Sequence, residues 1–230
     1  MTPEHWTAVD QFICDHFVPG DDVLDAVLSS GVEAGLPSIQ VSPNQGKLLQ
    51  ILVETLGAQR VLELGTLAGY SSIWMARALL PGGKLITLEA EPKHAEVARM
   101  NFAQAGLEKV IELRVGPALE TLPQLAAEHA SPFDLTFIDA DKQHTAEYFD
   151  WAVRLSRPGG LIVVDNVVRK GAVLDVDSHD ESVLGVQRFY EVARHDSRVM
   201  LTVMQTVGSK GYDGFALARV MTSGSTIAID

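Results

Sequence analysis

Residues 60–71, RVLELGTLAGYS, decide the fold. Val61, Leu62 and Leu64 put apolar side chains on both faces of a short extended run, as in a parallel strand covered on each side. Gly65 ends that run with a backbone that a ligand can approach closely, and Gly69 stands where a helix should begin. Outward from it the rhythm repeats. Further β-rich runs are KLITLEA (84–90), VIELRVG (110–116), FDLTFIDA (133–140) and LIVVDNVV (161–168), with amphipathic segments near 69–80, 92–106, 118–129 and 144–157. Strands joined by short loops and intervening helices imply right-handed βαβ crossovers, hence an α/β, doubly wound sheet.

After Ala172 the pattern changes. An acidic loop and a helix near 182–195 lead to VMLTVMQT (199–206) and GFALARV (214–220). The intervening VGSKGYDG is too short for a parallel crossover and reads as a hairpin. The expectation is a mostly parallel seven-stranded sheet with one antiparallel strand at its far edge. Residues 1–45, punctuated by Pro19-Gly20 and Pro37, read as a helical extension packed on the sheet or a partner. Residues 46–222 are then the α/β core and 223–230 a tail, all in one domain of 230 residues.

Composition narrows the function. With 47% hydrophobic and 21% charged residues the chain is globular in type. A net charge of −12 with no Lys/Arg stripe argues against nucleic acid and acidic membranes as partners. Cys14 is the sole cysteine, so an internal disulfide or thiolate metal cage is excluded. The N-terminal stretch lacks a basic region followed by an apolar core, and no window approaches the roughly 20 apolar residues of a membrane span. The expected localisation is cytoplasmic.

Ligands of open α/β sheets bind at the carboxyl ends of the strands, near the switch in strand order. The loop after the first strand fails the dinucleotide pattern GxGxxG, because Leu67 and Tyr70 occupy its later glycine positions. It also lacks the Walker lysine. Such a loop suits a nucleoside without phosphates. Glu63 is either a solvated charge at a strand end or a buried carboxylate offset by a cationic ligand such as a sulfonium or amino group. Glu89 either accepts both ribose hydroxyls or caps the next helix.

Two further strand exits carry oxygen donors: Asp139 in FIDADK, and Asp165-Asn166 in VVDNVV. On neighbouring parallel strands the two carboxylates and the amide oxygen can converge. Three hard donors without Cys or clustered His suit Mg²⁺, or Mn²⁺ or Ca²⁺, with positions left for substrate oxygens. The plainer alternative is that these groups cap helices and loops. The acidic run Asp175–Glu181 lacks the glycine of a calcium loop, and neither HExxH nor GxSxG occurs.

Taken together, VLELGTLAGYSS, TLEAEPKHAEVAR, FIDADK and RPGGLIVVDNV resemble the cation-dependent class I O-methyltransferases, the catechol and caffeoyl-coenzyme A O-methyltransferases and their bacterial relatives. The likeness spans about Ser38 to Val220. It implies a Rossmann-like methyltransferase fold and S-adenosylmethionine as cofactor. Glu63, Gly65, Thr66 and Ser71 would bind its methionine part under Val41, and Glu89 its ribose. Ala118 and Asp141 would lie near the adenine or adjoining groups, with Asp139 beside the cofactor. Asp139, Asp165 and Asn166 match the family's metal ligands, and Lys142 its general base, unless Lys142 is a plain ion-pair partner of Asp139 or Asp141. The implied acceptor is a small hydroxylated aromatic, and the implied assembly a homodimer. Pro117, Gln143-His144 and Arg169-Lys170 depart from common family residues. The last two fall around the acceptor, where Arg169 and Lys170 either attract an anionic substrate or are solvated. The competing readings are an NAD-dependent oxidoreductase and a nucleoside-binding protein without catalysis.

Overall fold

All seven expected strands form: β1 (Arg60–Leu64), β2 (Lys84–Glu89), β3 (Ile111–Val115), β4 (Phe133–Ile138), β5 (Ser156–Asp165), β6 (Val199–Gly208) and β7 (Gly211–Val220). The computed structural model describes residues 2–130 and 132–222, so the 223–230 tail lies outside the described residues. One sheet holds the strands in the order β3-β2-β1-β4-β5-β7-β6, and β1 to β5 run parallel.

The hairpin is tighter than expected. β6 and β7 pair as far as Gly208 and Gly211, leaving Ser209 and Lys210 as the turn. β7 returns antiparallel beside β5, which pushes β6 outward. The antiparallel strand therefore lies one place in from the edge, and β6 is the edge itself.

Helices α1 (Pro3–Phe17), α2 (Asp22–Glu33) and α3 (Pro43–Leu56) precede the sheet. The expected boundary at residue 45 falls inside α3. Ser42 accepts the Gln45 amide while the Gln45 side chain accepts the Ser42 amide, a capping box that starts the helix at Pro43. Then come α4 (Tyr70–Ala76), α5 (Pro92–Gln104), α6 (Ala118–Ala127), α7 (Thr145–Leu155) and α8 (Glu181–Ala193). Among the described residues no helix is long and apolar enough to cross a membrane.

Strand side chains alternate between two cores. Val61, Leu85, Leu135, Phe137 and Val163 face a layer that includes Leu49, Val53, Trp74 and Phe102. Leu62, Leu64, Ile138 and Val164 face the opposite layer, where Phe149 and Phe189 meet edge to face at 5.1 Å. Each fully buried ring of this kind contributes about 1.5–3 kcal/mol relative to exposure. The same alternation carries the chemistry: Glu63, Thr87, Glu89, Asp139 and Asp165 all fall on the face of Val61 and Phe137.

Candidate active site

The strand order reverses between β1 and β4, since β2 and β3 lie to one side and β5 to the other. The loops leaving β1 and β4 meet there. Gly65 takes a left-handed φ of 93°, and a Cβ on it would lie 2.2 Å from the Asp139 carbonyl oxygen. The Asp139 amide donates to the Leu64 carbonyl at 2.8 Å, closing the seam. Leu67 adopts φ 51°, uncommon for a non-glycine residue. Glu89 holds that turn: its Oε2 accepts the Thr66 and Leu67 amides at 3.1 and 2.8 Å, while Oε1 accepts the Glu91 amide at 3.0 Å. Glu89 thus orders the loop and the start of α5 while also lining the cavity above them.

That cavity is about 590 Å³, within the range of small-molecule sites. It gathers Val41, Gly65, Thr66, Ser71, Glu89, Ala118, Asp139 and Asp141, eight of the nine expected cofactor positions, together with Lys142 and Asn166. A second cavity of about 430 Å³ adjoins it, sharing Ile39, Gln40, Val41, Asn166 and Arg169 and adding Asp165.

The Ile138–Val164 register sets Asp139 beside Asp165 at the ends of β4 and β5, one residue further on and on one face. Asp165 is only 5% exposed. Burial and then the Asp139 charge push its carboxyl up, while Lys142 and the Asn166 amide hold it down. Its Oδ1 accepts that amide at 2.8 Å. Asn166 is bent back at φ 58°, in the left-handed region that asparagine tolerates better than most residues. Among the described residues no three His, Cys, Asp or Glu side chains form a metal group, so a cation here would need the Asn166 amide oxygen as third donor. The set fits a hard divalent ion: two adjacent carboxylates, one of them desolvated, lack a charge that would offset both. Lys142 supplies part of it, with Nζ 2.7 Å from Asp139 Oδ1.

Comparison with known proteins identifies the family. The family model described as O-methyltransferase matches residues 16–221. The chain belongs to the O-methyltransferase family. It is 53% identical to a catechol O-methyltransferase of Niastella koreensis, over 96% of this chain and all of the relative. The O-methyltransferase of Bacillus cereus, solved in complex with SAH, superposes with a TM-score of 0.94 at 52% identity, covering 95% of this chain and 100% of that one. TomG of Streptomyces achromogenes, an O-methyltransferase involved in tomaymycin synthesis and solved with SAM, gives 0.93 at 48% identity, covering 96% and 100%.

Glu63 sits differently in this O-methyltransferase from the expected cofactor contact. It is fully buried and does not line the cavity. Strand alternation turns it toward α4, where Ser71 and Ser72 donate to it, and Thr87 donates from β2. Three hydroxyls donate to the carboxylate, and one of them, that of Ser71, belongs to a residue lining the cavity. Burial pushes its carboxyl up to about 7 against the three hydroxyl donors, from an ordinary 4.5. The unfolded chain ionises this group first, so folding takes up a proton between those values. Its contribution to stability falls as pH rises from about 4.5 to about 7 and is flat above. Glu63→Gln should remove this slope, worth about 3 kcal/mol at most. Urea unfolding of both proteins at pH 5 and pH 8 reads it, and equal pH dependence would refute the assignment.

The structure also brings in a residue that the sequence did not single out. Tyr148, on α7, donates to Asp141, whose other oxygen lies 2.6 Å from His144 Nδ1. Asp141, expected to serve the cofactor directly, is thus shared with two aromatic side chains of the cavity wall. Burial and Asp141 raise the Tyr148 phenol, which keeps it a donor. The seven-residue spacing from Asp141 to Tyr148 spans a 3₁₀ turn, so helical periodicity gave no cue.

Proposed function

We propose that this O-methyltransferase transfers the methyl group of S-adenosylmethionine to a hydroxyl of a small catechol-like acceptor held at a divalent cation. The carrying observation is the pair Asp139 and Asp165 on one face at the junction of two cavities, with Asn166 lining both. The larger cavity takes the cofactor and the smaller the acceptor. SAH and SAM bound to the relatives from Bacillus cereus and Streptomyces achromogenes support the donor, and the name of the Niastella koreensis relative supports the acceptor class.

Asp139, Asp165 and Asn166 would hold Mg²⁺ or a similar ion, which when bound lowers the pKa of a coordinated hydroxyl and orients a diol. The chain's residues do the remainder. Val41, Ser71 and the Gly65 turn position the donor, and Glu89 keeps that turn folded. Lys142 Nζ, fixed by Asp139, is the group placed to receive the hydroxyl proton. The oxygen then attacks the methyl carbon in line: a C–O bond forms, the C–S bond breaks, and the sulfonium leaves as a neutral thioether. Alignment of the two reactants supplies about 7–11 kcal/mol of the barrier reduction. The exposed Phe12 and Phe17 of α1 support a second copy of the chain as partner.

An NAD-dependent reading meets Leu67 and Tyr70 in the cavity wall, where a pyrophosphate would need glycine. Catechol and methyl-labelled S-adenosylmethionine should give labelled product with Mg²⁺ and almost none after chelation. Calorimetry should register S-adenosylmethionine and no NAD. Full methylation after exhaustive chelation would remove the cation, and binding of NAD alone would overturn the whole assignment.

A further inference from the structure

We propose that the smaller cavity recognises a carboxylate carried by the aromatic acceptor, with Arg169 as its main partner and Lys170 and Lys210 beside it. The inference rests on that cavity receiving the acceptor.

Three cations and three carboxylates, Asp10, Asp165 and Asp213, line the cavity, yet among the described residues none of these carboxylates is ion-paired with a cation. Arg169, Lys170 and Lys210 all line it, and among the described residues none of the three forms an ion pair with a carboxylate. Among the described residues Arg169 Nε is buried without a hydrogen-bond partner, and Lys210 Nζ hydrogen-bonds only to the Ser38 carbonyl, at 3.1 Å. Its surroundings are dry enough to lower its pKa, although the residue is at the surface.

The carboxylates lining the same cavity are committed elsewhere. Asp213 Oδ1 accepts the amides of Val168, Arg169 and Gly214 at 3.1, 2.9 and 3.0 Å. Asp10 accepts the Asn44 side chain at 3.2 Å and the Ser209 amide at 2.7 Å. Asp165 belongs to the proposed cation site. In a chain of net charge −12, a cavity lined by as many cations as carboxylates, with the cations left unpaired, runs against the global field.

The backbone is set to present them. Arg169 and Lys170 both take left-handed φ, 55° and 56°, unusual for two successive long side chains. Asp213 holds that bend through the Val168 and Arg169 amides. A cavity of about 430 Å³ takes one aromatic ring with a short substituent. A planar carboxylate matches a guanidinium fork, and Arg169 lies three residues beyond Asn166, where the ring's hydroxyls would sit.

The test compares 3,4-dihydroxybenzoate with 3,4-dihydroxybenzamide as acceptors under identical S-adenosylmethionine and Mg²⁺. The wild type should favour the acid in kcat/KM by about ten- to a hundredfold, mainly through KM, as expected for a charge-assisted hydrogen bond. Arg169→Gln should shrink that ratio to about twofold, and Arg169→Lys should recover part of it. Lys210→Gln, on an exposed turn, should lower the ratio more modestly and serves if Arg169→Gln does not fold. Equal use of acid and amide by the wild type overturns the proposal. So does a ratio unmoved by both Gln variants, or an Arg169→Gln effect confined to the KM of S-adenosylmethionine, which would place Arg169 at the cofactor. Methylation of neither compound would instead overturn the catechol reading itself.

Discussion

Asp165→Ala is expected to lower divalent-dependent methylation of a catechol by about 10²–10⁴-fold, the scale of losing several kcal/mol of Lewis-acid and template stabilisation. Asp165 lines the smaller cavity and not the larger, so the Kd of S-adenosylmethionine should stay within about threefold, the size of a surface-type perturbation. Stability separates this outcome from simple misfolding. Asp165 is a desolvated carboxylate beside a like charge, and its removal relieves both penalties, so Tm should hold or rise. Asp165→Asn is the companion variant, because it keeps an acceptor for the Asn166 amide now held at 2.8 Å. Both variants should be folded, cofactor-competent and nearly inactive with Mg²⁺. Activity close to wild type in either, or a lost cofactor site, would end the cation assignment.

The fold was legible because its strands announce themselves twice, by apolar side chains on both faces and by chemistry-bearing residues at their exits. The convergence of Asp139 and Asp165 follows from the same alternation that buries Ile138 and Val164 on the opposite face. That alternation also fixes the side of Glu63: two residues after Val61, it must face the α4 layer, where Ser71 and Ser72 supply hydroxyls. The start of α3 was written in Ser42-Pro43-Asn44-Gln45, a capping box that places the helix before residue 45. The position of β7 was not legible. A hairpin pattern states that two strands pair, and is silent on which of them returns beside β5. Tyr148 was hidden for a related reason, since its partner Asp141 lies across a turn that breaks the helical period. The unpaired cations around Arg169 needed two segments distant in sequence, and only folding brings Lys210 and Asp213 to it.

Gly65→Ala should be among the most damaging single methyl additions to the described residues of this protein. The left-handed φ of 93° already disfavours any side chain, but strain is the smaller part. The new Cβ would lie 2.2 Å from the Asp139 carbonyl oxygen and 2.8 Å from its carbon, and backbone cannot rotate aside as a side chain can. The exits of β1 and β4 would have to part, stretching the Asp139–Leu64 hydrogen bond of 2.8 Å and moving Asp139 away from Asp165. Overpacking of this kind costs about 1–3 kcal/mol and occasionally more, to which the conformational strain adds. The Kd of S-adenosylmethionine should rise by at least about 100-fold, as expected when roughly 3 kcal/mol is drawn from the binding geometry. Methylation should become undetectable. Gly82→Ala supplies the control, because Gly82 has a similar φ of 81° with nothing within 4 Å of its would-be Cβ. That variant isolates the backbone strain, and should lose about 1 kcal/mol of stability while keeping its activity. If Gly65→Ala instead binds the cofactor as tightly as Gly82→Ala does, the contact between the β1 and β4 exits does not shape the site.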